Sequence, residues 1–409
     1  MHLLWLKTEL LHPIDKGGRI RTYSMLRALK RRHQVTYLTL DNGLAAPDAA
    51  ARALEYCHEL IRIPFVEAPR GSPRFWMELA ANLGSSLPYA VSKYRSDAMR
   101  RAIEDAVRTR AIDVVVCDFL FPSQNVPDRL PCRTVLFQHN VEAAIWKRHA
   151  DVRTSAPGKA YFREQWRRMA RFERQECRRC DQVVAVSRTD AAAIEREYGL
   201  ENVADVPTGV DIDYFRPAGR APLEPHNLVF TGSMDWMPNE DGINWFVEDV
   251  LPRIHDRLPD VTLTVVGRNP PAAIRALAAR DPRLRVTGSV PDVRPYMEAA
   301  PVFVVPLRVG GGTRLKIFEA LAMERALVST TIGAEGLPLV DGQHARIADR
   351  AEDFARQVID LLSEPARAAR MGQSGAAYVR ERFGWDGVAE TFAALVTAPV
   401  PRGAALASR

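Results

Sequence analysis

Long apolar runs are missing from this chain. The longest, such as Val302–Leu307, are far below the roughly 20 residues a membrane-spanning helix needs. The first residues, Met1–Lys7, are too short and wrongly flanked for a secretory signal and read as a buried strand. Both absences lead to the expectation of a cytoplasmic protein, with the inner face of the membrane as its peripheral location. Cysteine is scarce too, with five residues in 409. Cys177 and Cys180 form a lone C-x-x-C with no second Cys or His pair nearby, whereas a structural zinc needs four ligands. No metal and no cofactor are expected.

A strong excess of one charge is also lacking. The net charge is +6, but it is unevenly placed: residues 1–221 carry about +8 and residues 222–380 about −2. The densest basic stretch is 147–179, with eleven Lys/Arg against four Asp/Glu. Its arginines Arg167, Arg168, Arg171, Arg174, Arg178 and Arg179 fall on a predicted helix. Two readings fit: a solvated helix face, or peripheral contact with an anionic membrane surface or a phosphorylated acceptor. Aromatics are interleaved there, but no nucleic-acid-binding module is recognisable, so no nucleic-acid partner is expected.

What the chain does have is alternation. Apolar, β-branched runs at 2–7, 34–40, 60–64, 113–118, 133–138, 182–187 and 203–207 are separated by helix-period segments such as 20–31 and 96–109. Strands alternating with helices imply a mostly parallel sheet covered on both faces. A Pro-rich linker at 216–225 ends this half. The pattern then restarts with runs at 228–232, 261–267, 284–288, 302–307 and 326–330, and helices are predicted at 239–251, 271–279, 291–299 and 313–323. The expected fold class is α/β, two doubly wound Rossmann-like domains facing across a cleft. The domains span 1–215 and 216–383. A helix at 384–397 packs back on the first domain, and 398–409 is a disordered tail. In such folds ligands sit outside the carboxyl ends of the strands.

The richest loop in that position follows the run at 302–307. Gly310, Gly311 and Gly312 let backbone approach a ligand, Thr313 suits an N-cap, and the helix N-terminus attracts an anion. In the helix, Leu315, Phe318 and Leu321 or Ala322 form the core face. Lys316 and Glu319 share another face at i, i+3. A cation near the loop and a carboxylate one turn deeper suit a nucleoside diphosphate: Arg314 or Lys316 at phosphate, Glu319 at ribose. Gly17 and Gly18 form a second tight approach just before a helix. His139 ends a buried strand and can exchange protons near neutral pH.

These motifs come in a specific order. They are Asp15–Arg21, Gln138-His139-Asn140-Val141-Glu142, Val183–Ser187, Val206–Asp211, Phe230–Trp236, Gly288-Ser289-Val290 and the glycine-rich loop-helix. Across nearly its whole length the chain resembles the retaining glycosyltransferases with the GT-B fold, family four (glycosyl transferases group 1), nearest the exopolysaccharide-associated branch. The resemblance implies transfer from a nucleotide-sugar donor to a saccharide or lipid-linked acceptor, with retention and without a required metal. By that likeness Glu319 holds ribose, the glycine loop faces sugar and diphosphate, and Val290 lies beside the base. Gly17 and Gly18 face the donor, and His139 lines the sugar pocket.

Two departures stand out. Many relatives carry two glutamates eight positions apart, and here Gly311 occupies the earlier one. Many also carry an Arg and a Lys after the first strand of the second domain, whereas 232–240 holds no cation. Arg314 and Lys316 are therefore expected to neutralise the diphosphate, with Arg308 as a third candidate and Gly232 beside them. Preorganised donors aimed at charge growing on the leaving group would carry the catalysis, while Asp118 and Glu142 are base-like candidates. The rival readings are a sugar-nucleotide epimerase of the same fold and a non-catalytic nucleotide-sugar-binding protein.

Overall fold

Short runs of Val, Leu, Ile and Phe, apolar on both faces, build two parallel sheets. The computed structural model describes residues 1–14, 17–151, 153, 155–201, 203–309 and 315–398. The first sheet contains β1 (His2–Lys7), β2 (Gln34–Asp41), β3 (Glu59–Pro64), β4 (Val114–Asp118), β5 (Arg133–Gln138), β6 (Gln182–Ala185) and β7 (Ala204–Asp205). Its order is β3-β2-β1-β4-β5-β6-β7. The second contains β8 (Asn227–Thr231), β9 (Thr262–Val266), β10 (Leu284–Gly288), β11 (Val302–Val305), β12 (Ala326–Ser329) and β13 (Arg346–Ile347), in the order β10-β9-β8-β11-β12-β13. Both orders reverse direction beside the first strand, between β1 and β4 and between β8 and β11. That reversal is the topological switch point, where a doubly wound sheet leaves a crevice at its carboxyl edge.

The helices used below are α1 (Gly17–Lys30), α2 (Pro73–Asn82), α3 (Asp97–Thr109), α4 (Glu142–Asp151), α5 (Ala156–Arg179) and α6 (Arg188–Tyr198) in the first half. The second half supplies α7 (Met237–Trp245), α8 (Leu315–Ala322), α9 (Ala351–Ser363), α10 (Pro365–Arg382) and α11 (Trp385–Thr397). Their starts follow local chemistry. The Ser72, Ser96 and Ser187 hydroxyls accept from the N–H three residues on, capping α2, α3 and α6. Gly199 closes α6 in the left-handed conformation.

Chain contacts divide the molecule into two units, Met1–Pro207 with the segment from Val388 onward, and Thr208–Gly387. In unit 1, Leu4, Val115 and Leu136 pack on one face of the sheet with Met99 and Ile103 of α3 and Met169 and Phe172 of α5. The last helix closes the other face: Phe392 lies 5.5 Å from Trp5 and 5.1 Å from Phe137, ring to ring. In unit 2, Leu228, Phe230 and Val304 pack with Ile243, Phe246 and Phe354 on one face. On the other, Val229, Phe303 and Val305 pack with Ile317, Phe318 and Leu321 of α8.

Two expected elements come out differently. The helix predicted at 239–251 begins at Met237 and runs on to His255, with a wide π turn at Phe246–Val250 that accommodates Pro252 near the start of its last segment. The core face of α8 uses Ile317 beside Phe318, whereas Leu315 is half-buried. The short β13 and the helix α2 have no counterpart in the sequence expectation.

Candidate functional site

At the switch point of unit 1, β1 ends in Lys7 and its neighbour β4 ends in Asp118. Asp118 is fully buried, as is nearly all of Lys7, and four groups converge on the carboxylate. Its Oδ2 accepts from Lys7 Nζ at 2.9 Å, Trp5 Nε1 at 3.0 Å and Thr22 Oγ1 of α1 at 2.6 Å. Its Oδ1 lies 2.6 Å from Nε2 of His139, the residue that follows β5. Burial would push the Asp118 carboxyl up, but Lys7 and His139 outweigh it and hold it well below the usual carboxylate range. Burial lowers His139 to about 4 against the pull of Asp118, so the imidazole is neutral at pH 7. Arg21, almost wholly buried, donates to the Val206 carbonyl at 2.8 Å.

Phe119 plates this cluster. Its backbone is left-handed (φ 73°), rare for an aromatic residue, and its ring stacks on His139 at 3.9 Å and 19°. Lys7 Nζ sits 4.4 Å from the same ring. Gly18 lets α1 approach closely here, since a Cβ on it would stand 3.0 Å from the Phe119 ring. Gly17 opens α1 and is exposed, with no neighbour within 4 Å of an added Cβ. The turn after His139 is held by Glu173 of α5. That buried carboxylate accepts from the Glu142 and Ala143 N–H groups at the start of α4, from Gln138 Nε2 and from the Tyr198 hydroxyl. Burial and then Glu173 raise the nearby Glu142 carboxyl to about 7.

At the switch point of unit 2, Gly232 follows β8 and α8 brings Lys316 to it. The Lys316 ammonium donates to Asn239 Oδ1 at 2.9 Å and lies 4.0 Å from the Phe230 ring centroid. Asn239, near the start of α7, is itself fixed by donating to the Ser233 carbonyl at 2.7 Å. A Cβ on Gly232 would fall 2.6 Å from Lys316 Nζ and 2.8 Å from Asn239 Nδ2. Three neighbouring strands end in glycine: Gly232 after β8, Gly267 after β9 and Gly288 at the end of β10. The row is tight, since a Cβ on Gly267 would lie 1.8 Å from the Gly232 carbonyl oxygen. Glu319, one turn beyond Lys316, is half-buried as a residue. Burial nonetheless pushes its carboxyl up to about 7, with Lys316 pulling the other way.

The sequence candidates thus fall into two groups. His139 and Gly18 meet at the carboxyl edge of the first sheet, and Lys316, Glu319 and Gly232 at that of the second. Val290 is half-buried against the apolar cluster beneath α8, two residues past Gly288. Arg308 is engaged elsewhere, in a two-point pair with Asp241 at 2.6 and 3.0 Å. Gly310, Gly311, Gly312, Thr313 and Arg314 lie outside the described residues, as do Asp15 and Lys16. Sequence reading missed Asn239, Gly267, Phe119 and Glu173. The glycine after an apolar strand was a readable signal for Gly267; the others depend on partners far away in the chain.

Two doubly wound parallel-sheet units, each with polar residues gathered at its switch point, define the GT-B class of fold. Solved structures agree. Sucrose-phosphate synthase from Thermosynechococcus elongatus superposes with a TM-score of 0.69 at 16% identity, over 97% of this chain and 98% of that one. Anabaena Alr3699/HepE, solved in complex with UDP, gives 0.65 at 12% identity, over 97% and 100%. The family profile described as Glycosyltransferase Family 4 matches residues 16–214, and that described as Glycosyl transferases group 1 matches 225–364. Between them the two profiles take in most of the chain, and it belongs to the glycosyltransferase family they describe. Among curated proteins it is 28% identical over 220 residues to a phosphatidyl-myo-inositol mannosyltransferase of Mycobacterium tuberculosis, covering 50% of this chain and 57% of that protein. It is 30% identical over 233 residues to a D-inositol 3-phosphate glycosyltransferase of Streptomyces bingchenggensis, covering 50% of each. The chain spans about half the length of the curated relatives it matches.

Proposed function

We propose that this protein transfers a sugar from a nucleotide-sugar donor to a saccharide or lipid-linked acceptor, with retention at the anomeric carbon and without a required metal, in exopolysaccharide or cell-envelope glycan synthesis. The observation that carries the reading is the Lys316 ammonium, fixed by Asn239 beside Gly232 at the switch point of unit 2, with Glu319 one turn away. A fixed cation over a glycine floor suits a diphosphate, and a carboxylate one turn along the helix suits the ribose hydroxyls. Lys316, with Arg314 as its proposed partner, stabilises the charge that grows on the diphosphate as the glycosidic bond breaks. Such preorganised donors are worth roughly a few kcal/mol each. The acceptor hydroxyl attacks from the face the diphosphate leaves, and the leaving phosphate takes its proton. His139, neutral and clamped between Asp118 and Phe119, is assigned to the sugar pocket as a hydrogen-bonding group. The UDP complex of the HepE structure supports a nucleotide donor, and the phosphatidyl-myo-inositol in one relative's name supports a lipid-linked acceptor.

A thermal-shift screen against UDP-, GDP-, ADP- and TDP-sugars tests donor binding, because a ligand of the native state raises its stability. One donor class is expected to raise the melting temperature, and Lys316→Met to abolish most of the rise and of the turnover. A Lys316→Met enzyme with an undiminished shift and full turnover sinks the assignment.

A further inference from the structure

The loop after β9 reaches across to the loop after β8. The two strand ends abut, with the Gly267 Cα so near the Gly232 carbonyl that no side chain fits between them. The next residue, Arg268, donates from Nε to the Ser233 hydroxyl at 2.8 Å, and its carbonyl accepts from the Met234 N–H at 2.9 Å. Asn269 has a left-handed backbone (φ 52°), which asparagine tolerates, and its amide donates to Asp235 Oδ2 at 2.9 Å. Arg268 belongs by sequence to β9, one strand away from the switch point between β8 and β11. Its guanidinium is nonetheless held at Ser233, the residue after Gly232, on the strand that borders the crevice.

Ser233 also links this arginine to Lys316. Its hydroxyl holds Arg268, and its carbonyl accepts from Asn239 Nδ2, whose Oδ1 in turn accepts from Lys316. One cation thus comes from the β9 side and one from the helix that follows β11, and both are tied to the same short loop. The guanidinium is not consumed by an acid. Arg283, Arg294 and Arg308 each close a two-point pair with a carboxylate through Nε and a terminal nitrogen. Arg268 has Asp235 at 3.9 Å from Nε, and the Asp235 oxygens already accept from the Ser233 hydroxyl and from Asn269. Among the described residues Nη1 and Nη2 of Arg268 donate to no group, and 47% of the side chain is open to solvent. A guanidinium fixed at Nε with both ends open suits a phosphate, which it can meet with two parallel hydrogen bonds.

We infer that Arg268 is a second diphosphate-binding cation of the donor site, acting with Lys316, and that Ser233 is the positioning residue that holds it there. This role rests on the donor-site reading proposed above and assigns to it a residue from a strand where no cation was expected. The competing role for Arg268 is a staple between two loops, for which its hydrogen bond to Ser233 matters and its charge does not.

Binding of UDP, GDP, ADP and TDP to the full chain, measured by calorimetry over roughly 0.05 to 0.5 M salt, separates the two roles. Arg268→Gln keeps a donor for the Ser233 hydroxyl and removes the charge, whereas Arg268→Lys keeps the charge without the planar fork. For whichever nucleotide the wild type binds, Arg268→Gln is expected to weaken affinity at least about ten-fold and to flatten its decline with salt. Arg268→Lys is expected to keep the wild-type salt dependence and to recover part of the affinity. The side chain is exposed, so both variants should melt near the wild-type temperature without nucleotide. Ser233→Ala should weaken binding in the wild-type background and add nothing in Arg268→Gln, and additive losses would remove Ser233 from its positioning role. A staple predicts the reverse order, with Arg268→Gln binding at least as well as Arg268→Lys and an unchanged salt dependence; that result overturns the inference. So do melting temperatures lowered alike in both variants. Full affinity in Arg268→Gln together with a defective Lys316→Met strikes the role of Arg268 alone. A wild type that binds none of the four nucleotides strikes the donor-site reading and this role with it.

Discussion

Replacing Glu319 with Gln should stabilise the protein at alkaline pH while weakening its hold on the donor. Burial lifts this carboxyl from the usual 4.5 to about 7, Lys316 opposing. The folded state thus keeps the proton between about pH 4.5 and 7, where the unfolded chain has lost it. Stability therefore falls as pH rises through that window: the penalty is absent below the lower value and complete above the upper one. At 1.36 kcal/mol per pH unit the full penalty is about 3 kcal/mol, an upper limit because the residue as a whole is only partly buried. Gln keeps the shape and cannot ionise. Urea unfolding at pH 5 and pH 8 should give nearly equal midpoints for wild type and Glu319→Gln at pH 5, with the variant ahead by up to about 3 kcal/mol at pH 8. Glu142 is shifted in the same direction in the other unit and is common to both proteins, so the difference between them isolates Glu319. Donor affinity should move the other way, by about ten-fold or more, since a hydrogen bond to a charged group contributes about 1.5–3 kcal/mol. A variant no better than wild type at pH 8 refutes the burial argument. Unchanged donor affinity refutes the ribose role.

Three further substitutions separate structure from function. Gly267→Ala sets a methyl 1.8 Å from the Gly232 carbonyl, which is backbone and cannot swing away, so unit 2 should lose about 1–3 kcal/mol in denaturant unfolding; an unaffected midpoint would show that the strand ends yield freely. Gly232→Ala meets two side chains instead, the tip of Lys316 at 2.6 Å and the Asn239 amide at 2.8 Å. Side-chain ends can shift where backbone cannot, so stability should fall less than in Gly267→Ala while the donor-induced thermal shift drops sharply, and a normal shift would mean that the position of Lys316 and Asn239 does not matter. Asp118→Asn leaves Lys7 buried without its counter-charge and should cost about 3–5 kcal/mol. In the wild type the depressed Asp118 carboxyl contributes stability above the ordinary carboxylate range that is lost as pH falls toward its own lower value, so the variant should also flatten acid unfolding.

Much of the fold was legible because parallel strands are buried on both faces. Within His2–Lys7 the four central residues, Leu3–Leu6, are apolar without alternation, and the structure makes the same six residues a strand. Arg346–Ile347 is a strand of two residues, too short to carry any period, and it is defined only by pairing with β12. The candidate site was legible in part for a similar reason. Lys316 and Glu319 share a face that helical spacing alone reveals. The Lys316–Asn239 bond joins residues 77 apart in sequence, and no local pattern reports it. Phe119 is harder still: its left-handed backbone follows from the corner after β4 and from the stack on His139, and an aromatic residue there carries no signal of that conformation.

The cations that seemed to be missing after β8 bear on how such a site is read. Residues 232–240 contain none, and by sequence position the second unit lacks the cation expected there. In space the charge is present. The α8 lysine lies so close to Gly232 that a side chain on that glycine would collide with its ammonium. The Phe230 ring beneath it and the Asn239 amide beside it fix the head of a long, flexible side chain that would otherwise lose about 2 kcal/mol of rotamer entropy on binding. Glycine at 232 and lysine at 316 are then one feature: removing the side chain from the strand end opens the position that the helix fills. The corollary is a double exchange. Gly232→Lys with Lys316→Gly would return the charge to the strand end. If charge at this spot is what binds the diphosphate, the exchange should retain part of the donor-induced thermal shift that Lys316→Gly alone loses. An exchange that recovers nothing would mean that the geometry imposed by Asn239 and Phe230, and not the charge, is what the donor requires.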